Sequence, residues 1–197
     1  MRWFFDNFPS VFIWRKAISD YTNSLAVMSM VGFIVGLGDR HGENILFDES
    51  TGECVHVDFN CLFDKGKTLE YPEKVPFRLT QNLEHACGAG GINSSFKEAC
   101  FSVMNTAWDS KRSILTNLET FLHDPLVEWS KHKKSVNQTS DITNEQASKI
   151  LKIIERKLSG FIELENFSCE GQVEKLIQHS IDKKNLSEMY IGWSAFL

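Results

Sequence analysis

The stretch from Asp39 to Asp58 constrains this chain more than any other. It reads Asp39-Arg40-His41-Gly42-Glu43-Asn44, then Ile45-Leu46-Phe47, then the polar run Asp48-Glu49-Ser50-Thr51-Gly52-Glu53, then Cys54-Val55-His56-Val57 and Asp58-Phe59-Asn60. Two short apolar runs, β-branched at Ile45, Val55 and Val57 and separated by turn formers, predict a β-hairpin. Pairing Ile45 with Val57 and Phe47 with Val55 sets Asn44 and Asp58 opposite each other at its open end. Oxygen donors on adjacent strands suit a hard cation such as magnesium.

Phosphoryl transfer requires a carboxylate to orient the attacking hydroxyl and oxygen ligands for the metal on the phosphates. Asp39 and Asn44 reproduce the spacing of an Asp-x-x-x-x-Asn catalytic loop, and Asp58-Phe59-Asn60 reproduces the second metal-binding element with Asn in place of Gly. Cys54 and His56 lie close by and could be metal ligands. No second ligand pair follows at zinc spacing, which reads them as ordinary hairpin residues.

The chain has 197 residues, 42% of them hydrophobic and 12% aromatic, enough for one good-sized domain or a domain with an appendage. A net charge of −5 argues against direct nucleic-acid binding by this piece. The five cysteines are odd in number and scattered without a Cys-x-x-Cys, which disfavours a disulfide framework or zinc site and fits a reducing compartment. No signal peptide is visible, because Asp6 breaks the first apolar run. The Leu25–Leu37 run falls short of the ~20 residues a membrane-crossing helix needs and reads as a buried helix.

Ser10 is a candidate N-cap for a helix carrying Trp14, Ile18, Tyr21, Leu25 and Met28 on one face. The face widens at Val27–Val35, so the helix end is expected to be buried on all sides. Gly36-Leu37-Gly38 stops it and delivers Asp39 to the head of a loop. It is not a nucleotide-binding glycine loop, since no strand precedes it and the third glycine is absent. Residues 60 to 76 read as exposed and mobile. Helices follow from Ser94 or Ser95, with Phe96, Ala99, Cys100, Val103 and Ala107, and from Lys111 to Leu122. Residues 130 to 148 read as a flexible linker, in which Lys131, Lys133 and Lys134 form a docking signal or simply a solvated face. A helix with Ile150, Leu151, Ile153, Ile154 and Leu158 ends at Gly160, and Val173, Leu176, Ile177 and Ile181 share a later helical face. The aromatic chain end, through Tyr190, Trp193 and Phe196, is expected to dock onto its neighbour, with a partner-binding hook or membrane-touching tip as alternatives.

Gly38-Asp39-Arg40-His41-Gly42-Glu43-Asn44-Ile45-Leu46, Asp58-Phe59-Asn60 and Val75-Pro76-Phe77-Arg78-Leu79-Thr80 resemble the phosphatidylinositol-3-kinase-related protein kinases. Asn185 to Leu197 resembles their C-terminal FATC domain. His56 to Phe63 and His123-Asp124-Pro125-Leu126-Val127-Glu128-Trp129 resemble the ATR branch, in which Asn follows Asp-Phe. The resemblance covers most of the chain and is weakest over 130 to 164. It implies a mainly α fold with a small β-hairpin: a protein-kinase-like C-lobe, without an N-lobe, followed by a helical FATC segment. It implies a catalytic-domain C-lobe over 1–130 (catalytic loop 36–44, activation loop 56–80), a linker and regulatory helix over 131–164, and FATC over 165–197.

By the same resemblance Asp39 orients the substrate hydroxyl and accepts its proton, and His41 stabilises charge on the phosphoryl in flight. Asn44 and Asp58 hold Mg2+, with Mn2+ as a substitute, and Leu46 and Val57 floor the adenine pocket of ATP. The FATC segment packs near the activation loop and supports it. The implied reaction is serine/threonine phosphorylation before Gln, in DNA-damage and replication-checkpoint signalling in the nucleus. The implied partners are protein substrates, a regulatory subunit and activator proteins, without membrane contact. The chain has no glycine-rich loop and no Val-Ala-Ile-Lys-like strand, so it reads as the C-terminal fragment of a larger protein, with little or no activity alone. The alternatives are a phosphoinositide lipid kinase C-lobe and a non-catalytic scaffold fragment. Lys65, Lys67 and Lys74 are balanced by Asp64, Glu70 and Glu73, so residues 59 to 76 lack the basic bias a lipid headgroup calls for.

Overall fold

The computed structural model describes residues 2–122 and 139–196. Readings placed on His123–Trp129 and on Lys131, Lys133 and Lys134 lie outside the described residues. Twelve regular elements follow in order: α1 (Arg2–Asn7), α2 (Val11–Val35), β1 (Ile45–Phe47), β2 (Cys54–His56), α3 (Gln81–Ala86), α4 (Ser95–Asp109), α5 (Lys111–Leu122), α6 (Thr139–Lys157), β3 (Phe161–Ile162), β4 (Glu165–Asn166), α7 (Cys169–Ile181) and α8 (Lys183–Ser187). The described residues are mostly helical, with two small antiparallel hairpins, β1–β2 and β3–β4.

The axis of the fold is α2. Its inward face carries Tyr21, Leu25, Ala26 and Met30, all sealed from solvent, and α4 packs along it with Phe96, Cys100 and Met104. In turn α7 packs against α4 with Val173 and Leu176. Each such apolar side chain contributes about 1.5–3 kcal/mol by leaving water. The Tyr21 hydroxyl, sealed in this core, donates to the Leu83 carbonyl at 3.0 Å. Ser10 stands at the N-cap position as read, with extended backbone, but its side chain makes no capping hydrogen bond.

The apolar run does not produce a helix end buried all round. Val27 and Val31, one turn apart, are 41% and 43% exposed, because α4 and the β1–β2 hairpin cover only part of the helix's circumference. By length and composition α2 would suffice to cross a membrane, yet half of the tested stretch is buried in this fold.

Helix α2 ends in a left-handed cap at Gly36, φ 65° and ψ 46°. Leu37 N–H reaches back to Gly32 O at 2.8 Å, and Gly36 N–H to Phe33 O at 3.2 Å, the double closure that satisfies a helix's last carbonyls. The loop expected to be exposed and mobile is stitched to this cap at its start, over 61–64, while 67–72 is exposed. Phe63 N–H donates to Val35 O, Asp64 N–H to Gly36 O, and Gly38 N–H to Cys61 O, at 2.7–2.9 Å. Residues Lys65–Thr68 then form a 3-10 turn. A further departure is α6, which begins at Thr139, so 139–148 is helical rather than linker.

Candidate active site

The hairpin register differs by one residue from the expected one. Ile45 pairs with His56, Leu46 with Val55 and Phe47 with Cys54. The turn counts out this register: Asp48 N–H bonds Glu53 O at 2.9 Å, and the Asp48 carboxylate accepts the Ser50 and Thr51 amides. Tertiary packing then locks it. Ser24 Oγ of α2 accepts the Cys54 amide at 2.8 Å, and Phe47 packs near Trp3 and Tyr21, with centroid separations of 5.8 Å. Cys54 and His56 therefore face inward, while Leu46 and Val55 face out at 49% and 44% exposure. A one-residue slip would exchange these faces.

Asn44 and Asp58 are consequently not opposite each other. Asn44 accepts the Val57 amide at 3.0 Å, and Asp58 lies one residue beyond, where the strand has ended and φ has turned to 59°. Arg40, to which sequence reasoning gave no role, draws the group together. Arg40 is 3% exposed, and its guanidinium donates to Gly38 O at 2.9 Å, Asn44 O at 3.3 Å, Val57 O at 2.6 Å and Asp58 O. One side chain thereby clamps the loop before Asp39 to both strands' open ends. Burial draws the Arg40 pKa below its ordinary value, opposed by the nearby Asp39 and Asp58 carboxylates. The only signal for this role was its place between Asp39 and Asn44, since its acceptors lie up to 18 residues away.

Asp39 is itself left-handed, with φ 59°. Left-handed non-glycine residues are uncommon, and they concentrate where surrounding structure holds a functional group in place. Two contacts hold this one: Asp39 N–H donates to Glu73 Oε1 at 2.7 Å, and Asp39 O accepts Asn44 Nδ2 at 2.8 Å. Glu73 sits in a cradle of glycine, since a Cβ at Gly66 or Gly38 would come within 1.9 Å or 2.4 Å of its Oε2. Burial pushes its carboxyl pKa up, against the lowering effect of the hydrogen bond from the Asp39 amide. His41 Nδ1 accepts the Glu43 amide at 3.2 Å, which orients the ring. Leu46 and Val55 share the hairpin's outward face, and Val57 belongs to the same face by strand alternation.

The donor set fits a hard divalent cation. With Nδ2 committed to Asp39 O, Asn44 retains its amide oxygen, and Asp58, whose Oδ1 accepts the Asn60 amide at 3.0 Å, retains Oδ2. Among the described residues no group of three or more His, Cys, Asp or Glu could hold a metal alone. Magnesium takes one or two side chains together with substrate phosphates, and Asn44 Oδ1 and Asp58 Oδ2 are oxygen donors of that kind.

Beside Asp39 and His41 opens a cavity of about 570 Å³. Its walls include Tyr71 and Glu73 from one segment and Met189, Tyr190 and Trp193 from the chain end. The chain end docks by Leu186, Met189, Trp193 and Ala195, which bury together against Val75, while Tyr190, Ile191 and Phe196 stay exposed.

The family model for phosphatidylinositol 3- and 4-kinase matches residues 1–131 of this chain, and that for the FATC domain matches residues 166–197. The chain belongs to the phosphatidylinositol 3- and 4-kinase family. Within this family it is 50% identical over 196 residues to protein kinase rad3 of Schizosaccharomyces pombe, covering 98% of this chain and 8% of that protein. It is 45% identical over 192 residues to serine/threonine-protein kinase ATR of Arabidopsis thaliana, covering 98% of this chain and 7% of the relative. The chain thus spans less than a tenth of either relative's length. Among solved structures it superposes on the FAT and kinase domain of CtTel1 with TM-score 0.87 at 34% identity, over 100% of this chain and 13% of that one. It also matches a Tel1 kinase symmetric dimer, with TM-score 0.87 and 39% identity, over 98% of this chain and 8% of that one. The fold is that of a kinase C-lobe carrying a FATC segment.

Proposed function

We propose that this segment supplies the catalytic and metal-holding side chains of an ATR-type serine/threonine protein kinase. The observation that carries the reading is the Arg40 clamp, which gathers the backbone of Asn44 and Asp58 around a left-handed Asp39. Asp39, at the mouth of the cavity, orients a substrate hydroxyl and takes its proton. His41 stabilises charge on the transferring phosphoryl. Asn44 and Asp58 hold magnesium, with manganese able to replace it, and Leu46 and Val57 lie under the adenine of ATP. The bound metal supplies positive charge to the phosphates.

In this reading residues 1–130 are the catalytic C-lobe, with 36–44 the catalytic loop and 56–80 the activation loop. Residues 131–164 are a linker and regulatory helix, and 165–197 the FATC domain. The similarity to kinases named ATR and rad3 supports protein substrates, and the same reading extends to Ser/Thr-Gln sites, a regulatory subunit and activators, and a nuclear checkpoint role. The cavity wall favours a polypeptide over a phosphoinositide headgroup. Glu70 and Glu73 line it with Tyr71 and Tyr190, and Lys67 and Lys74 pair with Asp64 and Glu188. The 197 residues alone should show little or no phosphorylation, because no glycine-rich loop covers the phosphates.

The test is full-length protein offered ATP, Mg2+, a Ser-Gln peptide and phosphatidylinositol together. The peptide should be labelled and the lipid not. Asp39→Ala and Asp58→Ala should each lower kcat by about a hundredfold or more, by removing an oriented charge from the reacting centre. Lipid labelling, or undiminished turnover in either variant, refutes the assignment.

A further inference from the structure

The segment Val75-Pro76-Phe77-Arg78-Leu79-Thr80 contains a buried cation that the reaction as described leaves without a task. Arg78 is 6% exposed. Its hydrogen bonds run to backbone carbonyls: Nη1 donates to Trp193 O and, at 3.4 Å, to Arg40 O, and Nη2 donates to Ser194 O at 3.0 Å. The guanidinium also lies over the Trp193 ring, 4.4 Å from its centroid. Ser194 is left-handed, with φ 54°, at the point where it presents its carbonyl.

The two arginines form a series. Arg78 binds the chain end by Trp193 O and Ser194 O and touches the Arg40 carbonyl. Arg40 in turn binds Asn44 O, Val57 O and Asp58 O. The carbonyl where they meet belongs to the Arg40–His41 peptide, between the two residues read as catalytic and one residue past Asp39. A buried charge that loses its acceptors cannot stay in place, because an unpaired ion in a dry interior is strongly disfavoured. If Trp193 and Ser194 undock, Arg78 must swing toward other partners, and the Arg40 peptide loses its restraint. The planar fork matters: it spreads two nitrogens over the two tail carbonyls while its face lies on the Trp193 ring, a geometry that a compact ammonium does not reproduce.

We propose that Arg78 is a positioning residue that transmits the seating of the C-terminal tail, through the Arg40 peptide, to the metal-holding pair Asn44 and Asp58. The inference rests on the reading of those two residues as magnesium ligands. The tail has further anchors in the Lys74 amide on Met189 Sδ at 3.3 Å and Lys74 on Glu188 at 3.7 Å. The relay can therefore be cut at Arg78 with the tail still attached.

The experiment uses the full-length protein, its Arg78→Lys variant, a form lacking Trp193 to Leu197, and the combination. Amide hydrogen exchange is followed over 38–44 and 56–60, with α4 and α7 as internal references, and the Mg2+ concentration for half-maximal peptide phosphorylation is measured alongside. In Arg78→Lys, exchange should quicken over 38–44 and 56–60 and stay unchanged over α4 and α7. The Mg2+ requirement should rise by about 10- to 100-fold, the range seen when a ligand's outer support is removed. Combining the substitution with the tail deletion should add no further shift, because both cut one path. Unchanged exchange over 38–44, a uniform rise across the molecule, or fully additive shifts each overturn the proposal. Faster local exchange in a protein whose parent phosphorylates nothing would overturn the kinase reading and leave the coupling standing.

Discussion

His56 shows how far a single residue's environment departs from its sequence context. It lies two positions before Asp58, beside the residues read as metal ligands. Yet the ring is 6% exposed, and neither nitrogen has a hydrogen-bond partner in the structure. Burial first, then the Arg40 charge, lowers its pKa from 6.5 to about 4. The folded state thus binds this proton less readily than the unfolded chain, so stability falls as pH drops from 6.5 toward 4. The full effect is about 3 kcal/mol by the exchange of pKa for free energy. Replacing His56→Leu should remove that component: urea titrations should show the variant gaining on the parent with each step from pH 7 to pH 4. Equal pH slopes would count against it. Asp39, Asn44 and Asp58 were legible as chemistry because residue type and spacing carry the pattern. Arg40 was not, because its work is done on carbonyls that any residue possesses.

At the scale of elements, the end of α2 sets where the Asp39 loop begins. Gly36 has φ 65°, and a Cβ there would lie 2.4 Å from Asp64 N, the amide that bonds Gly36 O. Gly36→Ala combines a left-handed penalty of about 1–2 kcal/mol with displacement of the Asp64 backbone. A calorimetric loss of about 2 kcal/mol or more is expected, whereas Gly42→Ala, with open space around its Cβ, should be far milder. The helix stop at Gly36-Leu37-Gly38 and helices α4 and α5 were readable from glycine placement and from 3.6-residue periodicity. The hairpin's existence was readable as well, but its register was not. Val55 looks like the better core residue, yet Cys54 and His56 face inward because Ser24 on α2 fixes the Cys54 amide.

Across the whole molecule, one buried ion pair joins the later helices to the active-site loop. Lys157, at the end of α6 and 7% exposed, donates to Asp64 Oδ2 at 2.8 Å and to Phe33 O at 2.9 Å. Burial lowers the Lys157 pKa against the pull of Asp64. It also works to raise the Asp64 carboxyl, but Lys157 and Lys67 together keep that group below its usual range. Lys157→Met should cost up to about 3 kcal/mol, because it leaves a largely buried carboxylate with only the more exposed Lys67 as its charge partner. Adding Asp64→Asn should restore part of that loss, and a double-mutant cycle in chemical denaturation measures the coupling. A strictly additive cycle would mean that the two charges do not sense each other.

The sequence by itself determined the residue pattern on which the phosphoryl-transfer reading rests, where α2 stops, and that a hairpin stands between Asn44 and Asp58. These follow from residue type, turn preference and local periodicity, which act over a few neighbouring positions. Only the tertiary structure decided which hairpin face is inward, that residues 61–64 are sewn to the α2 cap, and that buried arginines tie chain end, catalytic loop and strands together. Those outcomes depend on backbone groups and packing surfaces contributed from distant parts of the chain, 30 residues away for Ser24 and Cys54 and 115 for Arg78 and Trp193, and no local pattern encodes such a meeting.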